Sequence, residues 1–285
     1  MAALLSIIVP SHNTRALTLR CLESIVQADG QAGSRAEVIL VDDAGTDGTA
    51  EAVAERFPEA ALIRTEEPAG FTRAANLGMA RASGGILLLL NSDTEVDAPG
   101  LAALQAAFAA DPRLGAAGAD LYYPDGSAQW SGGRAPSLAW LFALASGAPG
   151  LLARLPFYRR VKPPGQKAGA VDWVTGAALA LRRRAWEEVG PMDEAFFMFN
   201  EDVDWCRRFK LAGWAVAYVP AAVVTHHIGA SKGRVADRVI LERHRGMIHY
   251  FRKHHPTNRV LEGVAASFIM LRARLMLAAN ARKGR

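Results

Sequence analysis

The chain has 285 residues, 51% of them hydrophobic and 21% charged, which is enough apolar material for a sizeable core in one large or two small domains at about 150 residues each. Gly and Pro together fill 40 of the 285 positions, close to ordinary globular usage, so a disordered or fibrous protein is excluded. The net charge of +5 hides an asymmetry, because residues 1–231 carry 20 basic and 25 acidic groups whereas residues 232–285 carry 13 basic and 3 acidic. A basic tail on a mildly acidic body suits an anionic surface, either nucleic acid or the cytoplasmic leaflet of a membrane.

The first apolar run, Leu4–Val9, has no positive segment before it and stops at Pro10, so it reads as a buried strand and not as a signal peptide. A helix is expected from about Thr14, with Leu17, Cys21, Leu22, Ile25 and Val26 on one face. Strands at Glu37–Val41, Ala61–Arg64 and Ile86–Leu90 then alternate with helices over Thr49–Phe57, Thr72–Ala82 and Leu101–Ala110. Four β-α units in series predict an α/β fold with a mostly parallel sheet and helices on both faces. In such sheets ligands sit at the carboxyl ends of the strands.

Residues 122–170 break the pattern and read as an insertion with one short apolar helix around Ser137–Ala145. The uncharged stretch between Arg134 and Arg154 contains Pro136, Gly147, Pro149 and Gly150, which argues against a membrane span. Beyond it the sequence predicts a strand at Ala177–Leu181, a helix over Asn200–Ala212 capped by Asn200, and short strands at Ala215–Val219 and Ala222–Thr225. From Lys232 the pattern is helical, ending in the apolar and basic stretch Val260–Arg285. Cys21 and Cys206 lie in helix-like apolar patterns and read as small core residues, with neither disulfide nor metal spacing, which fits a reducing cytoplasm.

The strand ends carry P-S-H-N (Pro10–Asn13), D-D-A-G-T-D (Asp42–Asp47) and N-S-D-T-E (Asn91–Glu95). Carboxylates recurring at anion-binding positions imply a mediating hard cation, Mg²⁺ or Mn²⁺, which takes oxygen ligands and shares them with phosphates. G-x-G-x-x-G and G-x-x-x-x-G-K-[ST] are both absent. A metal-dependent site for a nucleoside diphosphate is left.

The ordered blocks S-I-I-V-P-S-H-N, V-I-L-V-D-D-A-G-T-D-G-T, G-F-T-R-A-A-N-L-G, L-L-L-L-N-S-D-T and F-F-M-F-N-E-D-V-D-W-C-R-R resemble the inverting family 2 glycosyltransferases of the GT-A fold, over about residues 4–231. Within that family the chain looks similar to bacterial rhamnosyltransferase-like enzymes of cell-surface polysaccharide assembly. The resemblance implies Pro10, His12, Asn13, Asp42 and Asp43 around the nucleotide base and ribose, with Ser92 near the nucleotide and Arg73 and Asn76 near the diphosphate. Asp93 matches the last Asp of the family's D-x-D metal motif, whose first position here is Asn91. Asp202 matches the family's general base, and Glu201 lies beside it. In H-H-I-G-A-S, His226 matches a segment whose His helps bind the metal or diphosphate, with His227 in reserve. Trp173, Thr175 and Gly176 match positions near the donor sugar and acceptor.

The reading that follows is transfer of a single sugar from a nucleotide-sugar donor, such as L-rhamnose from dTDP-rhamnose, to a saccharide or lipid-linked acceptor. The alternative is a non-catalytic sugar-nucleotide-binding protein, which would not need Asp202. A nucleic-acid partner is disfavoured because the tail has few aromatics and no stacking platform. The expected organisation is a catalytic domain over 1–231 and a basic amphipathic tail over 232–285. That tail presents Leu261, Val264, Phe268, Leu271, Leu275 and Met276 to the inner face of the plasma membrane, to the catalytic domain, or to a second copy in a homo-oligomer.

Overall fold

The structure, a computed structural model, describes residues 5–32, 36–137, 169–227, 237–256 and 258–283. Strands β1 (Leu5–Ser11), β2 (Glu37–Asp42), β3 (Ala61–Arg64) and β4 (Ile86–Leu90) alternate with helices α1 (Arg15–Ala32), α2 (Thr49–Arg56) and α3 (Phe71–Arg81). There follow β5 (Thr94–Val96), α4 (Ala98–Ala110), β6 (Leu114–Tyr122) and the two-residue strands β7 (Gly132–Gly133), β8 (Gly169–Ala170) and β9 (Trp173–Val174). The chain continues through β10 (Ala178–Arg182), α5 (Arg183–Val189), α6 (Glu201–Leu211) and β11 (Ala215–His226) to α7 (Asp237–His254) and α8 (Arg259–Lys283).

The main sheet runs β3-β2-β1-β4-β10-β6-β11-β5, with β8 added beside β11. The first four strands are mutually parallel, β10 is antiparallel to both β4 and β6, and β6 is parallel to β11. The expected mostly parallel α/β sheet is therefore present. Alternation along each strand divides the core in two. Ile8, Leu87 and Leu89 face Ala74, Met79, Trp205 and Phe209, whereas Ile7, Val9, Leu88 and Leu90 face Cys21, Leu22, Ile25, Leu101 and Phe108. Both cysteines are fully buried thiols, each pushed up to about 12 by burial. At Gly78 a Cβ would come within 2.4 Å of Ile8 Cγ2, so only glycine lets α3 lie this close to β1.

Three local expectations change, and a fourth is not tested. Val26 is 55% exposed and lies outside the buried face of α1, which is formed by Cys21, Leu22 and Ile25. The two short strands expected at 215–225 are one strand, β11, whose register against β6 shifts between Val219 and Val223, around Pro220; a proline cannot donate to the ladder but fits at such an irregularity. Asn200 stands at the start of α6 with φ 70°, and its amide donates to Arg243 O at 3.2 Å without capping the helix. Of the helix expected around Ser137–Ala145, only Ser137 is described, in irregular backbone, and the rest lies outside the described residues.

Helices α7 and α8 pack against each other and on the body of the chain. Met247, Tyr250 and Phe251 of α7 join Phe196, Trp205 and Phe209 in one buried cluster, and Ala265 and Ile269 of α8 close over it. Among the described residues no helix is long and apolar enough to cross a membrane.

Candidate active site

The carboxyl ends of β1 and β2 are level, with Pro10 opposite Val41 and Ser11 opposite Asp42. The loops that follow turn through left-handed backbone at Asn13 (φ 53°) and Ala44 (φ 51°). They are tied together where His12 Nδ1 donates to Asp43 O at 2.6 Å and Thr46 N donates to Asn13 Oδ1 at 2.8 Å. Pro10, His12, Asn13, Asp42 and Asp43 thus lie together at one end of the sheet. Ser92, after β4, joins them through Thr14, whose hydroxyl is 2.9 Å from Ser92 Oγ and 3.0 Å from Ser11 Oγ.

The two aspartates differ in environment. Asp43 accepts from Ala69 N at 2.7 Å, Gly70 N at 2.9 Å and Thr65 Oγ1 at 3.0 Å, and so anchors the loop that leads into α3. Asp42 is 1% exposed; burial raises its carboxyl above the usual range despite Gly45 N at 3.2 Å and Arg64 Nε at 3.3 Å. Arg73, exposed in the first turn of α3, makes no hydrogen bond or ion pair among the described residues, and its five donors face solvent. Asn76 departs from expectation. Its amide exchanges two 2.9 Å hydrogen bonds with the backbone of Met192 and donates to Glu194 at 3.2 Å, so it holds the segment entering α6 and offers no free group to a diphosphate.

A second cluster forms where β5 pairs antiparallel with β11, His226 opposite Thr94. His226 Nε2 lies 3.1 Å from Asp93 Oδ1 and 3.4 Å from Asn91 Nδ2. The buried Asn91 Oδ1 has no hydrogen-bond partner. His227 turns instead to Glu95 at 2.6 Å, a carboxylate that also receives Arg20 at 2.5 Å. His226 is therefore the histidine that meets Asp93. These groups fit a hard divalent cation: one carboxylate and one imidazole stand 3.1 Å apart, as neighbouring ligands at about 2.1 Å around an octahedral ion do, and the Asn91 side chain adjoins them through its amide nitrogen. Among the described residues no group of three or more His, Cys, Asp or Glu side chains that could hold a metal ion is present, so Asp93 and His226 are the two ligands of this type here.

Asp202 lies half-buried in the first turn of α6. Its Oδ2 accepts from Gly176 N at 3.0 Å and its Oδ1 from Val203 N at 2.8 Å. Burial raises its pKa, opposed by these amides and by the charge of Arg243. Glu201, 5% exposed, has an Oε2 without a partner, and burial together with the charge of Asp202 raises its pKa further. A Cβ at Gly176 would contact Asp202 Cβ and the Phe71 ring at 3.7 Å, so the three line one small space. Phe197 closes on Gly70, whose φ of 87° and lack of a Cβ permit the contact. Next to Gly176, Ala177 O accepts from Asn91 N at 3.0 Å, so residues 176–177 join Asp202 to the Asn91–Asp93–His226 cluster. Thr175 N donates to Ser131 O at 3.0 Å, and Trp173 donates to Arg134 O at 3.0 Å while packing edge-on to Trp130 at 5.0 Å.

Gln129 has no precedent in the sequence reading, because it falls in the irregular segment read as an insertion and belongs to no motif there. It is 4% exposed, and its Oε1 lies 3.0 Å from His226 Nδ1.

A mixed sheet flanked by helices, with carboxylates gathered at its strand ends, has the architecture of the GT-A class. The profile of Glycosyl transferase family 2 matches residues 6–190, and the chain belongs to that family. It is 32% identical over 274 residues to an N-acetylglucosaminyl-diphospho-decaprenol L-rhamnosyltransferase of Mycobacterium tuberculosis, covering 87% of this chain and 85% of that protein. A 57-residue stretch, 20% of this chain and 22% of the other, is 39% identical to rhamnosyltransferase WbbL of Escherichia coli. Among solved structures, the mannosyltransferase PcManGT of Pyrobaculum calidifontis, in complex with GDP-Man and Mn²⁺, shares the fold at a TM-score of 0.63 and 21% identity, over 100% of this chain and 77% of that one.

Proposed function

We propose that the chain is an inverting glycosyltransferase of cell-surface polysaccharide synthesis, moving one sugar, L-rhamnose from dTDP-rhamnose, to a saccharide or lipid-linked acceptor. The observation that carries this reading is the short backbone link between Asp202 and the Asn91–Asp93–His226 cluster through Gly176 and Ala177. In this reading the link joins the base to the diphosphate-binding centre. The similarity to the mycobacterial L-rhamnosyltransferase supports the choice of sugar and of a lipid-linked acceptor.

In this mechanism Asp202 takes the proton of the acceptor hydroxyl as that oxygen bonds to the anomeric carbon, while the bond to the diphosphate breaks on the opposite face. Burial strengthens the base, and Gly176 N and Val203 N fix its orientation. Phe71 borders the space beside it. Asn91, Asp93 and His226 would hold Mg²⁺ or Mn²⁺, which would neutralise charge on the departing diphosphate. Arg73, exposed and unpaired among the described residues, would donate to phosphate oxygens through its planar guanidinium. The loops bearing Pro10, His12, Asn13, Asp42, Asp43 and Ser92 receive the nucleoside, and Trp173, Thr175 and Glu201 border the sugars. The enzyme works on the inner face of the plasma membrane, with α8 toward anionic lipid.

Asp202→Asn keeps the shape but cannot accept a proton, so transfer is expected to fall by about 10²- to 10⁴-fold with donor affinity retained. The parent product, read by proton NMR, is expected to carry the inverted anomeric configuration. Near-parent turnover in the variant, or a retained configuration, overturns the reading.

A further inference from the structure

We propose that Gln129 is a positioning residue that fixes the tautomer of His226 and thereby sets the affinity of the Asn91–Asp93–His226 cluster for a divalent cation. The inference rests on the metal reading above but adds a residue that belongs to none of the motifs.

The hydrogen bonds orient the amide. Its Nε2 donates to two backbone carbonyls, His226 O at 2.5 Å and Tyr122 O at 3.3 Å, which leaves Oε1 facing His226 Nδ1 at 3.0 Å. Carbonyls only accept, so the NH₂ must face them and the amide oxygen must face the ring. An amide oxygen also only accepts. Nδ1 therefore carries the proton, and Nε2 presents its lone pair to Asp93 Oδ1 at 3.1 Å and to Asn91. Two acceptors at that distance repel unless a cation lies between them, and with Nδ1 committed to Gln129 the choice is a second ring proton or a metal ion. Asn91 turns its Nδ2 to the same Nε2 at 3.4 Å, as a donor does toward a lone pair, which favours the unprotonated Nε2 that a metal ion needs.

Gln129 suits this task because it cannot move. It is 4% exposed, and its three hydrogen bonds join the end of β6 to the end of β11. A ring without this partner would divide between two tautomers, and the one with Nε2–H cannot ligate. Partners of this kind behind a ligating histidine typically contribute 10- to 100-fold in metal affinity.

Gln129→Met retains the length and removes both polar atoms; Gln129→Glu retains the acceptor toward Nδ1. The full chain is titrated with Mn²⁺ alone, followed by electron paramagnetic resonance, and its melting temperature is measured in EDTA. Gln129→Met is expected to weaken Mn²⁺ by about 10- to 100-fold with little change in EDTA melting, and Gln129→Glu to recover most of the affinity. Parent-like Mn²⁺ affinity in Gln129→Met overturns the proposal, as does a lowered EDTA melting temperature with the affinity unchanged. Nitrogen-15 shifts of His226 in metal-free protein give a separate answer. Nδ1–H is expected in the parent and a mixture of tautomers in Gln129→Met. A parent that binds no Mn²⁺ but shows Nδ1–H removes the metal reading and leaves the tautomer lock standing; a parent with Nε2–H removes the lock itself.

Discussion

Glu201 and Asp202 are adjacent like charges at the start of α6, and burial raises the pKa of both. In a helix consecutive side chains diverge, and here the divergence separates their surroundings. Asp202 takes two backbone N–H bonds, which favour its charged form, whereas the inner oxygen of Glu201 has none. The fold thus prefers a neutral Glu201 beside an ionised Asp202. A carboxyl whose folded pKa lies above its unfolded value near 4.5 destabilises the native state wherever it must ionise, and that cost disappears below the unfolded value. Glu201→Gln, which imitates the neutral acid, is expected to raise the melting temperature by a few degrees near pH 8 and to leave it unchanged near pH 4. A loss at both pH values would mean that Glu201 has a partner the fold needs. At this scale the motif residues were legible because chemistry constrains their types: Asp43, Asp93, His226 and Asp202 all lie at strand or helix ends on one side of the sheet. Gln129 and Asn76 were not. What each amide does depends on which backbone carbonyls lie opposite, and two of those, Met192 and His226, are distant in sequence.

At the scale of elements, α6 matters as the carrier of Asp202, and its position is set from α7. Asp204, fully buried one turn into α6, receives Arg208 at 3.0 Å from its own helix and Lys253 at 2.9 Å and His254 at 2.6 Å from α7. Lys253 also reaches Asp193 at 2.7 Å, joined there by His249 at 3.1 Å. Removing one partner of a buried ionic group leaves the others uncompensated, at a cost of about 3–5 kcal/mol. Asp204→Ala is therefore expected to lose roughly that much stability in urea unfolding and to loosen α7 in hydrogen exchange. An unfolding midpoint within experimental error of the parent would show that the cluster is solvated and not structural. The sequence located α6 closely, because W-C-R-R-F-K-L has helical periodicity. It missed β6, whose L-G-A-A-G-A-D-L-Y is poor in the branched and aromatic residues that mark strands. There the small residues serve close packing: at Gly118 a Cβ would lie 2.4 Å from Val174 Cβ.

The tail engages the whole molecule, and its two faces answer different questions. Ala265, Ile269 and Ala273 are buried against the rest of the chain, and Arg272 reaches the buried His244 at 2.9 Å. The alternatives of docking on the body and facing outward are thus not exclusive. The small residues of α8 form the inner face, while Val260, Val264, Phe268, Leu271 and Leu275 recur every three or four positions on the outside, with Val260 77% and Leu275 64% exposed. Arg274 and Arg282 are exposed along this stripe. An apolar stripe edged by arginines suits the interface of an anionic bilayer, where each basic group near the surface contributes roughly 1 kcal/mol. Truncating α8 would uncover Ala265 and Ile269 and confuse detachment with unfolding, so the informative variant changes only outward residues. Phe268→Ser, Leu271→Ser and Leu275→Ser together are expected to keep the parent's melting temperature and to abolish flotation with phosphatidylglycerol vesicles at low salt, conditions under which the full chain is expected to float. The parent should float less as salt rises, because the electrostatic part is screened over about 10 Å at 0.1 M. If the parent ignores these vesicles but sediments as a dimer that the triple variant dissociates, the outer face of α8 joins two copies of the chain and the membrane assignment is wrong.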